Sequence, residues 1–250
     1  QSAAIKQVAN TDHNLILSAP TASGKTEAAF IPALNSVEDW ETGLKVLYVS
    51  PLKALINDQF QRISELSEYL DIPITRWHGE VSQTQKRKVV NQPKGILLIT
   101  PESIEGMLVN RPGEAEHLFK GVEWIIIDEL HSFLGTERGI HLQSLLQRIS
   151  RFMQAPRFIA MSATLNKKDF GYAKAFFGSP RHTDILVDRD KNDLFITIDY
   201  TSGEAGPFVG NCRGRERRIP GEAAEGIPVG LREWMAGPVA VGAGVGDAGD

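Results

Sequence analysis

Two short stretches, one around Lys25 and one around Asp128, hold the residue types that phosphate chemistry requires. The first, "SAPTASGKTEAAF" from Ser18, matches the phosphate-loop pattern G-x-x-x-x-G-K-[ST] except that Ala19 stands in the opening Gly place. Backbone N–H groups at a helix N-terminus favour an anion there. Lys25 can reach the outer phosphates and the Thr26 hydroxyl can ligate magnesium. A capped helix start would use the same small residues, but it gains nothing from a Lys placed beside Gly24. In "VEWIIIDELH", Asp128 and Glu129 end the most apolar run of the chain. One carboxylate can hold a metal, usually through water, while its neighbour orients and deprotonates an attacking water. A solvated acidic turn is the other reading of the pair, and it weakens if Lys25 lies one or two strands away.

Those residues need elements to hold them. Apolar, β-branched runs alternate with helical stretches, and "NLILSA", "KVLYVS", "PITRWH", "GILLIT", "VEWIIIDE" and "RFIAMSA" are the strand candidates. That rhythm predicts a parallel sheet. Ile125-Ile126-Ile127 shows no polar alternation, so its strand should be covered on both faces, as in a doubly wound α/β fold. Ligands in such folds sit at strand C-terminal ends. Each polar cluster of interest follows directly on a strand candidate, so all of them can converge on one edge.

Composition narrows the class. The chain has 250 residues, 42% of them apolar, and a net charge of −4, with no uncharged apolar run of membrane-spanning length. A soluble globular protein is expected, with no membrane partner and no visible targeting segment. The single thiol, Cys212, excludes an internal disulfide framework and fits the cytoplasm. The acidic balance offers no bulk attraction to nucleic acid, so any such binding must use a local surface.

In order and separation, "APTASGKT", "DELH" and "SAT" resemble motifs I, II and III of superfamily 2 helicases. "PLKALINDQ" from Pro51 resembles motif Ia and "TPES" from Thr100 resembles motif Ib. "WHGEVS" and "DELHSFLGTERGIHL" resemble the large-helicase-related branch, whose members act on DNA or RNA in repair and RNA processing. The likeness covers about residues 1–190. It implies the first RecA-like domain of an ATP-dependent helicase, a three-layer α/β/α P-loop domain with a mainly parallel sheet. It implies ATP and Mg2+ as the small molecules used, and single-stranded or duplex nucleic acid, DNA or RNA, as partner. A second RecA-like domain is expected in the full-length protein.

The same resemblance assigns roles. Ala19, Thr21, Ala22, Ser23, Gly24, Lys25 and Thr26 would cradle the nucleotide, and Gln1 stands in the place of a Gln that reads the adenine edge. The opening position is commonly Ala in this superfamily, whereas most relatives carry Gly where Ala22 stands. Thr26 and Asp128 would hold magnesium, with Lys25, Asp128 and Glu129 forming the catalytic set. His131, Ser162 and Thr164 would couple nucleotide state to the nucleic-acid face through hydroxyl contacts to the Asp128-Glu129-His131 group. Pro51, Lys53, Thr100, Pro101 and Ser103 lie at strand-to-helix turns that can take backbone phosphates, although helix caps account for them nearly as well. Arg138 would face nucleic acid or Glu137. An exposed turn is expected at His78-Gly79, and a solvated face for Lys86, Arg87 and Lys88.

From about Thr201 the character changes: about half of the 23 glycines fall in this last fifth, without a Lys or a periodic apolar face. Residues 191–250 therefore read as a linker and a low-complexity or disordered tail, and a truncation or frameshift near residue 200 would account for the break. Two rival readings stay open. One is a truncated, non-catalytic module that binds nucleotide or nucleic acid without turnover. The other is a different P-loop ATPase, against which "SAT" and "TPES" argue.

Overall fold

Strands that are apolar on both sides must be sandwiched, and helices do this here from both faces. The computed structural model describes residues 2–20, 24–68 and 71–188. Gln1, Thr21, Ala22, Ser23 and the expected 191–250 tail lie outside the described residues. Seven strands form one sheet: β1 (Asn14–Ser18), β2 (Gly43–Val49), β3 (Ile74–Trp77), β4 (Lys94–Ile99), β5 (Trp124–Ile127), β6 (Arg157–Ser162) and β7 (Thr183–Val187). Their order is β3-β4-β2-β5-β6-β1-β7, and every pairing is parallel. The intervening helices are α1 (Ser2–Asn10), α2 (Lys25–Ser36), α3 (Lys53–Glu68), α4 (Gln83–Asn91), α5 (Pro101–Asn110), α6 (Pro112–Phe119), α7 (Glu137–Ser150) and α8 (Phe170–Ala175).

The period-2 geometry of a strand sends alternate residues to opposite layers. Leu47, Val49, Ile125 and Ile127 meet Met107, Leu118, Phe119, Leu142 and Leu145 of α5, α6 and α7 in one buried cluster. Tyr48 points the other way, its ring centroid 5.6 Å from that of Phe30 in α2. Because the sheet is all parallel, the chain leaves β1, β2, β4, β5 and β6 at a common edge. The register keeps their ends level: Val49 pairs with Ile127, Ile127 with Ala160, and Ser18 with Ser162. The ladder runs one residue further, with Asp128 N–H donating to the Val49 carbonyl at 2.9 Å and Ala19 N–H to the Ser162 carbonyl at 3.1 Å.

Six strands coincide with the sequence expectation, and the sheet is wholly rather than mainly parallel. The seventh, β7, was not anticipated, because "HTDILV" mixes polar and apolar residues as a half-covered edge strand allows. Two local expectations are corrected. His78 is buried at 5% exposure rather than set in an exposed turn. Lys86 is also buried, its ammonium 5.7 Å from the centre of the Trp77 ring, while Arg87 and Lys88 remain exposed as expected. The Lys stem reaches back over the aromatic face, a folding that charge patterning along a helix does not reveal.

Candidate nucleotide and nucleic-acid site

Gly24 precedes α2 with φ 77° and ψ 29°, a left-handed conformation that costs a residue bearing a Cβ but not glycine. Lys25 follows, and its ammonium donates to the carbonyls of Ala19 at 2.6 Å and Pro20 at 2.9 Å, so the cation is held in the crook of the loop. Burial pushes its pKa down, while the charges of Glu129 and Asp128 act the other way. The Lys and both carboxylates thus share one electrostatic neighbourhood, with only β6 between the strands that carry them. Thr26 is buried, and its hydroxyl donates to Oε1 of Gln59 on α3 at 3.2 Å. An ion pair from Arg62 to Glu27 at 2.5 Å ties α3 to the same turn of α2.

Asp128 is buried at 6% exposure. One oxygen accepts the Tyr48 hydroxyl at 2.5 Å and the other accepts the Glu129 N–H at 2.9 Å. Burial raises the Asp128 pKa, and the Tyr48 hydrogen bond opposes that rise. The phenol is pushed well above its ordinary value, first by burial and then by the adjacent carboxylate, so it stays a donor. Tyr48 is the site residue that sequence reading missed. Its one signal was an aromatic hydroxyl inside an aliphatic strand; its relevance comes from the register, which sets Tyr48 beside Ile126 and hence on the face of Asp128.

Glu129 has φ 47° and ψ 49°, left-handed for a residue with a side chain. Its Oε2 is buried without a hydrogen-bond partner among the described residues, although it lies 3.2 Å from His131 Nδ1. That ring nitrogen is engaged by the Ser162 hydroxyl at 3.3 Å. Ser162 also donates to the Thr164 carbonyl at 2.7 Å. The expected link between β6 and the turn after β5 therefore runs through Ser162 to His131. Thr164 takes part through its backbone, and its exposed hydroxyl makes no hydrogen bond among the described residues. Hard oxygen donors, among them the buried Asp128 carboxylate and the buried Thr26 hydroxyl, are a donor set that fits Mg2+, and Thr26 and Asp128 are the residues that would hold it.

The residues expected at nucleic acid lie on the same edge, at the starts of α3, α5 and α7. Thr100 caps α5, its hydroxyl accepting the Ser103 N–H at 3.4 Å and lying 3.0 Å from the Ser103 hydroxyl, and Pro101 opens the helix. Lys53 opens α3 and pairs with Glu80. Arg138 does not face Glu137. Its guanidinium donates to Glu102 at 2.6 and 2.9 Å and to the Pro51 carbonyl, and so joins the Pro51 turn to α5. Gly139 beside it is obligatory for packing, since a Cβ there would meet the Phe133 carbonyl oxygen at 1.8 Å.

A phosphate loop and paired carboxylates, level at one edge of an all-parallel sheet between helical layers, define a RecA-like P-loop domain. The chain belongs to the DEAD/DEAH box helicase family, whose model matches residues 1–170. It is 34% identical over 226 residues to ATP-dependent helicase Lhr-Core protein 2 of Thermococcus barophilus, covering 77% of this chain and 26% of that protein. It is 33% identical over 203 residues to the Lhr helicase/uracil glycosylase of Escherichia coli, covering 71% and 13% of the two chains. Among solved structures it resembles the Mycobacterium smegmatis helicase Lhr bound to ssDNA and AMP-PNP, with TM-score 0.64, 30% identity, and coverage of 75% of this chain and 25% of that one. The DUF1998 helicase MrfA bound to DNA and AMPPNP gives TM-score 0.64 at 28% identity, covering 75% and 26%. The chain spans about a quarter of the length of the Lhr-Core relatives. No helix among the described residues is long and apolar enough to cross a membrane.

Proposed function

We propose that residues 1–190 form the first RecA-like, ATP-binding domain of an ATP-dependent helicase of the Lhr-like branch, which couples ATP hydrolysis to translocation along DNA or RNA. The observation that carries this is the shared neighbourhood of Lys25, Asp128 and Glu129 at the edge where α2 begins. In this reading Lys25 exchanges the Ala19 and Pro20 carbonyls for the outer phosphates, and Gly24 to Thr26 supply N–H groups to them. Thr26 and Asp128 hold Mg2+, which when bound neutralises charge developing on the phosphate oxygens. Glu129, whose buried Oε2 makes no hydrogen bond among the described residues and lies 3.2 Å from His131 Nδ1, orients and deprotonates water. His131 and Ser162 transmit the state of the Glu129 turn to β6. Nucleic-acid phosphates would meet Pro51, Lys53, Thr100, Pro101, Ser103 and Arg138. Gln1, Thr21, Ala22 and Ser23 keep their expected nucleotide roles, and residues 191–250 that of a linker and tail. The single thiol supports a cytoplasmic setting.

A second RecA-like domain is expected to deliver an Arg to the γ-phosphate, a contribution worth about 10³–10⁵ in turnover in related enzymes. Residues 1–250 alone should therefore bind Mg-ATP and hydrolyse it slowly. The test is a nucleotide-binding titration beside steady-state ATPase, with and without single-stranded DNA or RNA. Lys25→Ala should abolish binding, and Glu129→Gln should keep binding while lowering turnover by about 10²–10⁴. Full nucleotide binding by Lys25→Ala would overturn the reading.

A further inference from the structure

At the opposite edge of the sheet, where the strands begin, a second group of side chains has the composition of a metal site. We propose that His13, His182 and Asp184 bind one divalent transition-metal ion, zinc by chemistry, which fastens the edge strand β7 to β1 and α1. His13 Nδ1 lies 2.8 Å from Asp184 Oδ2, and His182 Nε2 lies 3.2 Å from Asp184 Oδ1. All three ligand atoms fall within 4.8 Å of one another. A tetrahedral ion with bonds of about 2.0–2.1 Å separates its ligand atoms by about 3.3–3.4 Å, so small side-chain rotations seat it.

The fold, rather than chance proximity, assembles the group. Parallel pairing aligns Asn14 with Thr183 and Leu15 with Asp184, which brings His13 and His182 to matching positions just before the two strands. The Asn14 N–H donates to the His182 carbonyl at 2.8 Å. The wholly buried Asn14 side chain spans β6, β1 and β7: its oxygen accepts the Phe158 N–H at 3.0 Å, and its amide lies 3.4 Å from both the Thr183 hydroxyl and the Arg181 carbonyl. Gln7 of α1 donates to Asp184 Oδ2 at 2.6 Å, the kind of outer hydrogen bond that orients a ligating carboxylate.

Two imidazoles and one carboxylate form a donor set that suits zinc and its first-row neighbours and leaves a position for water. The side chains of His13 and His182 are 40% and 58% exposed, which leaves an entry path and lets the His13 proton move to Nε2 so that Nδ1 can ligate. The nearby cation Arg181 is paired with Asp12, and its charge does not stand bare against an incoming ion. Nothing in the nucleotide site uses these residues, which lie at the other ends of β1 and β7.

The experiment is a calorimetric titration of ZnCl2 into the chelator-stripped, desalted 250-residue chain without nucleotide. The expected result is one saturable equivalent, accompanied by a rise in melting temperature. His182→Ala, whose side chain is mostly in solvent, should keep the fold by circular dichroism, weaken binding at least about tenfold and abolish the thermal shift. His13→Ala should weaken binding likewise, and His117→Ala, on the exposed face of α6, should leave it unchanged. Absence of a stoichiometric site, or binding that survives His182→Ala undiminished, would overturn the proposal.

Discussion

Replacing Tyr48 by Phe removes one oxygen and leaves the ring to pack on Phe30, so it isolates the hydrogen bond to Asp128. A hydrogen bond to a charged group contributes about 1.5–3 kcal/mol, against about 0.5–1.5 kcal/mol between neutral groups. At pH 7.5, where Asp128 is to be ionised, the larger figure applies. For a domain of this size 1 kcal/mol moves the melting point by roughly 2–4 °C, so the variant should melt roughly 3–12 °C lower. The sign with pH follows from the shift. Burial already raises the folded pKa of Asp128, and loss of the phenol raises it further. The penalty is therefore fully present above the folded pKa and shrinks toward the neutral-pair value as pH falls through it. Urea midpoints for both proteins at pH 7.5 and near pH 4 give the two differences. Asp39, Glu80, Glu105 and Asp184, whose pKa values are lowered, lose their stabilisation in acid in both proteins and cancel. Turnover should fall about 10–100-fold, as for loss of a residue that orients a metal ligand. An equal destabilisation at both pH values would refute the ionised-carboxylate argument.

Asp128→Asn should hold both hydrogen bonds, because Tyr48 can accept from the new amide while the oxygen takes the Glu129 N–H, and it removes a buried charge. Its urea midpoint at pH 7.5 should equal or exceed that of the parent, with the gap closing in acid, and metal-dependent turnover should be lost; a lower midpoint at neutral pH would contradict the burial argument. Gly139→Ala should destabilise by at least about 1–3 kcal/mol in the same assay, because its Cβ meets backbone rather than a yielding side chain. Single-stranded nucleic acid, held by two to four phosphates, should show a slope of log K against log salt of about −1.4 to −2.8, and a slope near zero in a fluorescence titration would exclude backbone reading.

Much of this architecture is legible in the sequence because its determinants are local. Strand β5 is unbroken Trp124-Ile125-Ile126-Ile127, which no half-exposed strand would tolerate, and Asp128 and Glu129 mark where it stops. Gly24, Lys25 and Thr26 sit where a strand gives way to a helix, a context visible from spacing alone. What escaped depends on which strands become neighbours. Tyr48 is unremarkable until β2 lies beside β5, and His13 and His182 are two ordinary histidines until β7 pairs with β1. Arg138 reads as a helix start facing nucleic acid or Glu137, and only the convergence of three helix N-termini shows it bridging the Pro51 turn and Glu102. Lys86 escaped for a related reason, since a flexible stem can reach an aromatic face that its own helix does not contain.

The Glu129 turn shows where local rules yield. A side-chain-bearing residue in a left-handed conformation costs about 1–3 kcal/mol and persists only where its surroundings over-determine it. Both flanks are fixed here. The Asp128 N–H extends the ladder to Val49, the Asp128 side chain takes the Glu129 N–H, and the Ser132 N–H donates back to the Glu129 carbonyl at 2.8 Å. Leu130 is wholly buried and anchors the exit from the turn. The conformation holds adjacent carboxylates in two different environments: Asp128 is turned inward onto Tyr48, while Glu129 Oε2 makes no hydrogen bond among the described residues and lies 3.2 Å from His131 Nδ1. A relaxed turn would not need to hold the two carboxylates in such different surroundings. The strain thus gives adjacent carboxylates different surroundings, as the proposed division into a metal-holding group and a base requires.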